Sequence, residues 1–148
     1  MTDRIEVVCP HCDVVNRVPT GRLGDAPRCG SCRGALFEGR PLALTAQGFR
    51  HHMRPAGLPL LVDFWASWCG PCRSMAAEFE KAAQALEPAM RLAKVSTEEA
   101  SGIAQEFGIV SIPALVLFRE GREVARQVGA MPASRIVAWA LEAAGGRA

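Results

Sequence analysis

Six cysteines, all in Cys-x-x-Cys pairs, are the residues of this chain best suited to chemistry: Cys9 with Cys12, Cys29 with Cys32, and Cys69 with Cys72. Two sulfurs at this spacing either grip a metal as thiolates or exchange electrons as a dithiol and disulfide, and the flanking sequence decides between them. Ahead of Cys69 runs Leu60-Leu61-Val62-Asp63-Phe64-Trp65-Ala66, a nearly continuous apolar stretch of buried-strand length; after Cys72 the apolar residues take helical spacing. This pair therefore sits on a strand-to-helix turn. The first N–H groups of a helix lack intrahelical partners and carry partial positive charge, which favours a thiolate and makes Cys69 the expected nucleophile. Cys72, one turn further in, is the expected resolving thiol. Pro71 suits the first turn because its missing N–H would have been unpaired, and Gly70 puts no side chain over Cys69.

Asp63 interrupts the apolar run six residues before Cys69. A carboxylate there is costly to ionise, so its pKa should rise, and a raised carboxyl near a thiol can take the proton that Cys72 loses on attack. Further along, Pro113 precedes another apolar strand; a proline at a strand's beginning cannot donate to the ladder, which leaves neighbouring backbone free for an extended substrate segment.

The other two pairs read differently. Cys9-Pro10-His11-Cys12 and Cys29-Gly30-Ser31-Cys32 are separated by sixteen residues, a spacing that matches paired turns closing a four-sulfur tetrahedron around one structural zinc. Residues 1–36 are too few to bury a sufficient core, and metal binding supplies the missing folding free energy, on the order of 10 kcal/mol or more. Val14, Val15, Val18 and Leu23, punctuated by Pro19, Gly21 and Gly24, suit a short-stranded zinc ribbon. Four sulfurs suit iron as well as zinc, and spacing alone leaves that open. The Pro-His dipeptide between Cys9 and Cys12 resembles that of strongly oxidising periplasmic disulfide oxidases, but no buried strand precedes it and no helical pattern follows. His11 reads as a solvated turn residue.

The remaining elements are those needed to hold the dithiol. Leu42-Ala43-Leu44 suits a strand, with Thr45 capping a helix to about Arg54 that carries His51 and His52 on a solvated face. After the central strand and its helix to about Glu87 come a strand at Leu92–Val95, a helix from Glu98 to Phe107 ended by Gly108, a hairpin of Ala114–Phe118 with Glu123–Val128 around Glu120-Gly121, and a last helix capped by Ser134. This alternation predicts an α/β domain, a mixed five-stranded sheet flanked by helices, preceded by the small ribbon: residues 1–36 ribbon, 37–40 linker, 41–148 the larger domain.

Val62-Asp63-Phe64-Trp65-Ala66, Trp68-Cys69-Gly70-Pro71-Cys72 and the later Ile112-Pro113 resemble the thioredoxin family from about Pro41 onward, and a ribbon ahead of that unit resembles the zinc-binding thioredoxin 2 type of bacteria. The resemblance implies the thioredoxin fold and a protein-disulfide reductase, since Gly-Pro between the cysteines is the reducing form. It implies that Lys94 partners Asp63, that the Ile112–Pro113 bond is cis and faces the site, and that Trp68, Gly70, Pro71, Ile112, Pro113 and Gly129 meet the substrate. It also implies re-reduction by an NADPH-dependent flavoenzyme, thioredoxin reductase, and clients such as ribonucleotide reductase, peroxiredoxins or methionine sulfoxide reductases, with zinc the one cofactor. Three positions depart from the family pattern: Ala77 replaces a helix-kinking proline, Ala114 a threonine, and Arg73 a lysine. A less reducing isomerase, and a redox-switched zinc module that binds partners, are the alternative readings.

Composition narrows the classes further. Net charge is +2, and four thiolates around one dication would bring it to zero, which gives no electrostatic case for nucleic acid or membrane binding. The start Met1-Thr2-Asp3-Arg4-Ile5-Glu6 has no apolar leader-like core, and no apolar run reaches membrane-spanning length. A cytoplasmic monomer is expected.

Overall fold

The computed structural model describes residues 3–145. Two strands, β1 (Arg4–Val8) and β2 (Val15–Pro19), form an antiparallel hairpin that carries the first cysteine pair at its end. Five strands make the main sheet: β3 (Leu42–Leu44), β4 (Leu60–Trp65), β5 (Arg91–Ser96), β6 (Ala114–Arg119) and β7 (Arg122–Val128), in the order β3-β5-β4-β6-β7. β3, β5 and β4 run parallel, while β6 and β7 are antiparallel to their neighbours. The helices are α1 (Ala46–His52), α2 (Gly70–Leu86), α3 (Ser101–Glu106) and α4 (Ala133–Gly145).

The alternation of side chains along β4 decides what faces what. Leu60, Val62 and Phe64 pack with Phe49 of α1 and Ile103 of α3, whereas Leu61 packs with Met75 and Phe79 of α2 and Ile136 of α4. Asp63 shares parity with Leu61 and so lies on the α2 face. Both faces being covered explains why β4 reads as a continuous apolar run. Along α2 the buried positions Cys72, Met75, Phe79, Ala82, Ala83 and Leu86 form one stripe, so Cys72 begins the face that packs on the sheet. With Ala77 in its middle, α2 runs unbroken for 17 residues.

Element ends differ modestly from the sequence reading. α3 starts at Ser101, because Thr97–Ala100 form a turn in which Ser96 Oγ accepts the N–H groups of Glu98 and Glu99 at 3.2 Å each. α4 begins one residue before Ser134, and the Ala133 N–H is satisfied by Glu78 Oε1 of α2 at 2.8 Å rather than by a serine cap. Thr45 caps α1 as expected, accepting from Gly48 N at 3.0 Å. At the β6–β7 turn Glu120 and Gly121 both take positive φ, 54° and 80°, the pairing that a two-residue hairpin turn demands.

The ribbon is docked against the strand-start end of the main sheet. Val7, Cys9, Val18, Cys29 and Leu36 form its core, with Leu58, from the segment before β4, packed against them. Glu6 N donates to Ala56 O at 2.9 Å, and Arg54 pairs with Glu6 at 3.0 Å. Arg91, the first residue of β5, is buried between the two parts: it donates to Glu87 Oε2 at 3.1 Å, to Val8 O at 3.2 Å and to Leu36 O at 2.8 Å, and its guanidinium lies over Phe37. Glu87 Oε1 in turn accepts Gly39 N of the linker at 2.9 Å.

Here two sequence expectations need correcting. His52 is buried, 8% exposed, against this junction, where burial foremost, with the Arg91 charge second, lowers its pKa to about 4. His51 does not face solvent alone either; its Nε2 is 2.6 Å from Asp13 O of the ribbon.

Candidate functional site

Cys69 is the N-cap of α2 and accepts the Cys72 N–H on its sulfur at 3.2 Å. The capping geometry aims the orphan amides of the first turn at this atom, the arrangement that stabilises a sulfur anion. Cys69 and Cys72 are joined in a disulfide, and both are almost wholly buried, packed with Ala66, Trp65 and Ile112. Trp68 beside them is 68% exposed, an isolated flat aromatic on the surface. The Ile112–Pro113 bond is cis, and Ile112 O lies 3.9 Å from Cys69 Sγ. Gly129 takes φ +106°, a conformation that L side chains rarely adopt, and donates its N–H to Pro113 O at 2.9 Å. Ile112 and Pro113, and through Pro113 also Gly129, are thus brought from much further along the chain to the turn that carries Trp68, Gly70 and Pro71.

Asp63 is 1% exposed, and neither carboxylate oxygen has a hydrogen-bond partner. Burial pushes its pKa up to about 7, against the opposing pull of Lys94. Lys94 is the register partner of Asp63 across β4 and β5, but the two form no ion pair among the described residues; Lys94 Nζ lies instead over the Trp65 ring, 5.0 Å from its centroid. Because the folded state holds the Asp63 proton to higher pH than the unfolded chain does, stability should fall as pH rises from about 4 to about 7, by up to about 4 kcal/mol. Asp63→Asn is therefore expected to stabilise the chain at pH 8 by a few kcal/mol and to make little difference near pH 3. Urea unfolding of both chains at the two pH values checks this; equal stability at pH 8 would contradict it.

At the opposite end of the sheet the other four sulfurs meet. The Sγ atoms of Cys9, Cys12, Cys29 and Cys32 all lie within 4.8 Å of one another, with Cys9–Cys32 and Cys12–Cys29 at 3.6 Å. Zinc–sulfur bonds of about 2.3 Å require sulfurs about 3.8 Å apart in a tetrahedron, so the cluster fits a zinc ion. Backbone amides are already turned toward the sulfurs: His11 N to Cys9 at 3.3 Å, Ser31 N and Cys32 N to Cys29 at 3.3 and 3.5 Å, and Gly34 N to Cys32 at 3.3 Å. Without a metal the thiols split: the Cys32 amide leads in pulling Cys29 down to about 6, whereas burial pushes Cys9 up, and Cys12, against the Val14 amide, is pushed up to about 12 by burial with the neighbouring sulfurs. Asp13 and Arg33, each directly after a pair, take φ of 67° and 69° and close their turns by donating to Cys9 O and Cys29 O.

Residues 40–142 match the family model described as Thioredoxin, and residues 8–34 match Thioredoxin 2, N-terminal, a zinc ribbon. The chain belongs to the thioredoxin family. Thioredoxin C-3 of Corynebacterium nephridii is 39% identical over 133 residues, covering 90% of this chain and 91% of that one. Thioredoxin 1 of Synechococcus elongatus is 41% identical over 90 residues, 61% of this chain and 84% of its own. Among solved structures, a mutant thioredoxin from Halobacterium salinarum superposes with a TM-score of 0.66 at 25% identity, over 78% of this chain and 99% of that one. The main sheet and its helices are thus the thioredoxin fold, and the chain is a thiol–disulfide oxidoreductase with Cys69 and Cys72 as its disulfide-forming pair.

Sequence reasoning missed Glu87 and Arg91, since their partners at Val8, Leu36 and Gly39 lie 48 to 83 residues away and are all backbone atoms. It also passed over Glu38, whose Oε2 is 3.2 Å from His11 Nε2. A close approach explains Gly34: a Cβ there would stand 2.7 Å from the His11 ring.

Proposed function

We propose that the chain is a cytoplasmic protein-disulfide reductase, passing electrons from the Cys69/Cys72 dithiol to protein disulfides. The observation that carries the reading is Cys69 capping α2 with its sulfur facing the Cys72 amide. In the reaction the Cys69 thiolate attacks a substrate disulfide, one sulfur of which leaves as thiolate, and a mixed disulfide forms. Cys72 then gives its proton to Asp63 and, as a thiolate, attacks Cys69 Sγ, so that the second substrate sulfur leaves as a thiolate and the Cys69–Cys72 disulfide closes. Asp63 suits this role because a carboxyl held near pKa 7 can both accept and return a proton at neutral pH. Lys94, in register beside it, moderates that value. Trp68, Gly70, Pro71, Ile112, Pro113 and Gly129 form the surface for an extended substrate segment.

Cys9, Cys12, Cys29 and Cys32 would hold one zinc, whose part is to fold residues 1–36 as a ribbon joined through 37–40 to the thioredoxin unit at 41–148. β4 spans roughly 17 Å at about 3.3 Å per residue, and the ribbon lies beyond its first residue while the dithiol follows its last, so a structural role for the metal suits its place better than a catalytic one. Re-reduction is assigned to an NADPH-dependent thioredoxin reductase, with the chain acting as a monomer. No described helix is long and apolar enough to cross a membrane.

The test is NADPH-coupled insulin reduction with thioredoxin reductase, run beside a metal assay. Steady NADPH oxidation that requires both proteins, with one zinc per chain, is expected. No turnover from a fully reduced, zinc-loaded chain would contradict the reading.

A further inference from the structure

We propose that Glu98 and Arg73 are positioning residues for disulfide exchange, acting through Ser67 to hold the Trp68–Cys69 segment in the shape that a protein disulfide meets. The inference rests on the reductase reading above. The turn from β4 into α2 runs from Ala66 to Cys69; its first and last residues are buried, and the two between them, Ser67 and Trp68, are exposed. A turn whose tip is an exposed aromatic has little packing to fix it.

Hydrogen bonds at Ser67 supply what packing does not. Its N–H and its Oγ both donate to Glu98 Oε1, at 3.1 and 2.9 Å, and its carbonyl accepts from Arg73 Nη1 at 2.9 Å. The backbone donor and acceptor of this one exposed residue are therefore both taken by charged side chains, the stronger kind of partner. The two charges come from opposite sides of the turn: Arg73 from the first turn of α2, Glu98 from the turn between β5 and α3.

Both carriers are themselves fixed. Arg73 belongs to the helix, and its N–H donates to Cys69 O at 3.2 Å. On the other side, Thr97 donates to Trp65 O through its N–H at 2.8 Å and its hydroxyl at 3.3 Å, and Ser96 Oγ caps the next two amides. The turn after β5 is thereby tied to the end of β4, and through Glu98 to the residue before Trp68. A surface aromatic ordered before docking spares the substrate complex the entropy of ordering it, so the effect should fall on substrate affinity rather than on chemistry at Cys69.

Glu98→Ala removes the acceptor and the charge; Glu98→Gln removes the charge and keeps an oxygen in place. Amide hydrogen exchange at Ser67 and steady-state insulin reduction are measured for both and for the unmodified chain. For Glu98→Ala the Ser67 amide should exchange at least about tenfold faster, with KM for insulin raised about three- to tenfold and kcat within about twofold. Glu98→Gln should restore most of both. Unchanged exchange in Glu98→Ala overturns the proposal, and so does a Gln variant indistinguishable from Ala, since charge alone would then account for the effect. An unmodified chain that fails to reduce insulin overturns the reductase reading and this role with it; normal turnover in that chain and an unaltered KM in Glu98→Ala overturn only the role.

Discussion

Cys69→Ser is expected to reduce protein-disulfide turnover by at least about a thousandfold, and Cys72→Ser to stall the reaction as a mixed disulfide on Cys69. Serine is itself a good N-cap, so the start of α2 should survive the first substitution. What disappears is the anion: a hydroxyl at this position is not ionised near neutral pH and cannot open a disulfide. Cys72 sits at the head of the buried stripe of α2, where a hydroxyl cannot resolve the mixed disulfide formed by its neighbour. Insulin turnover measures the first effect, and mass spectrometry of the trapped adduct the second. Turnover by Cys69→Ser at the unmodified rate would remove the assignment of the nucleophile.

Arg91→Ala is expected to destabilise the chain by about 3–5 kcal/mol, the usual cost of stripping one partner from a buried ion pair. Arg91 and Glu87 are only 5% and 3% exposed at their side chains. Burial already pushes the Glu87 carboxyl up even with the Arg91 charge beside it, so loss of the cation would leave a buried acid that must take up a proton to stay folded. The same substitution removes the side-chain donor from the carbonyls of Val8, at the end of β1, and Leu36, at the end of the ribbon. Against a typical total of about 5–15 kcal/mol the loss is severe. Replacing both partners, as Glu87→Gln with Arg91→Met, should recover much of it, because no uncompensated charge then remains. Urea unfolding gives the comparison; an unchanged midpoint in Arg91→Ala would contradict the weight given to this buried pair.

These two residues also mark where sequence reading stops. The dithiol, its strand and its helix were legible because each depends on neighbours in the chain: an apolar run, a cysteine at an N-cap, a proline in the first turn. The four-cysteine cluster was legible because two turns of fixed spacing recur. The convergence of Trp68, Pro113 and Gly129 came through family resemblance, for nothing local announces it. The ribbon's docking surface was hidden, since Arg91 binds carbonyls that every residue possesses and His52 looks like any helix histidine until Val8 and Arg91 cover it. Lys94 stands beside Asp63 in the register of β4 and β5, yet its amino group lies over Trp65, a choice set by side-chain packing rather than by register.

In the proposed reaction the N-terminus of α2 turns Cys69 into an acidic, attacking thiol. Alkylation of the reduced chain by iodoacetamide, followed residue by residue across pH 5 to 10 (an experimental range of about five units that brackets free cysteine near 8.5), tests it most directly. Cys69 should react at pH 7 about threefold or more faster than free cysteine, with its midpoint well below that of the free amino acid. A Cys69 rate curve that overlays that of free cysteine would mean that the helix terminus does not activate this sulfur.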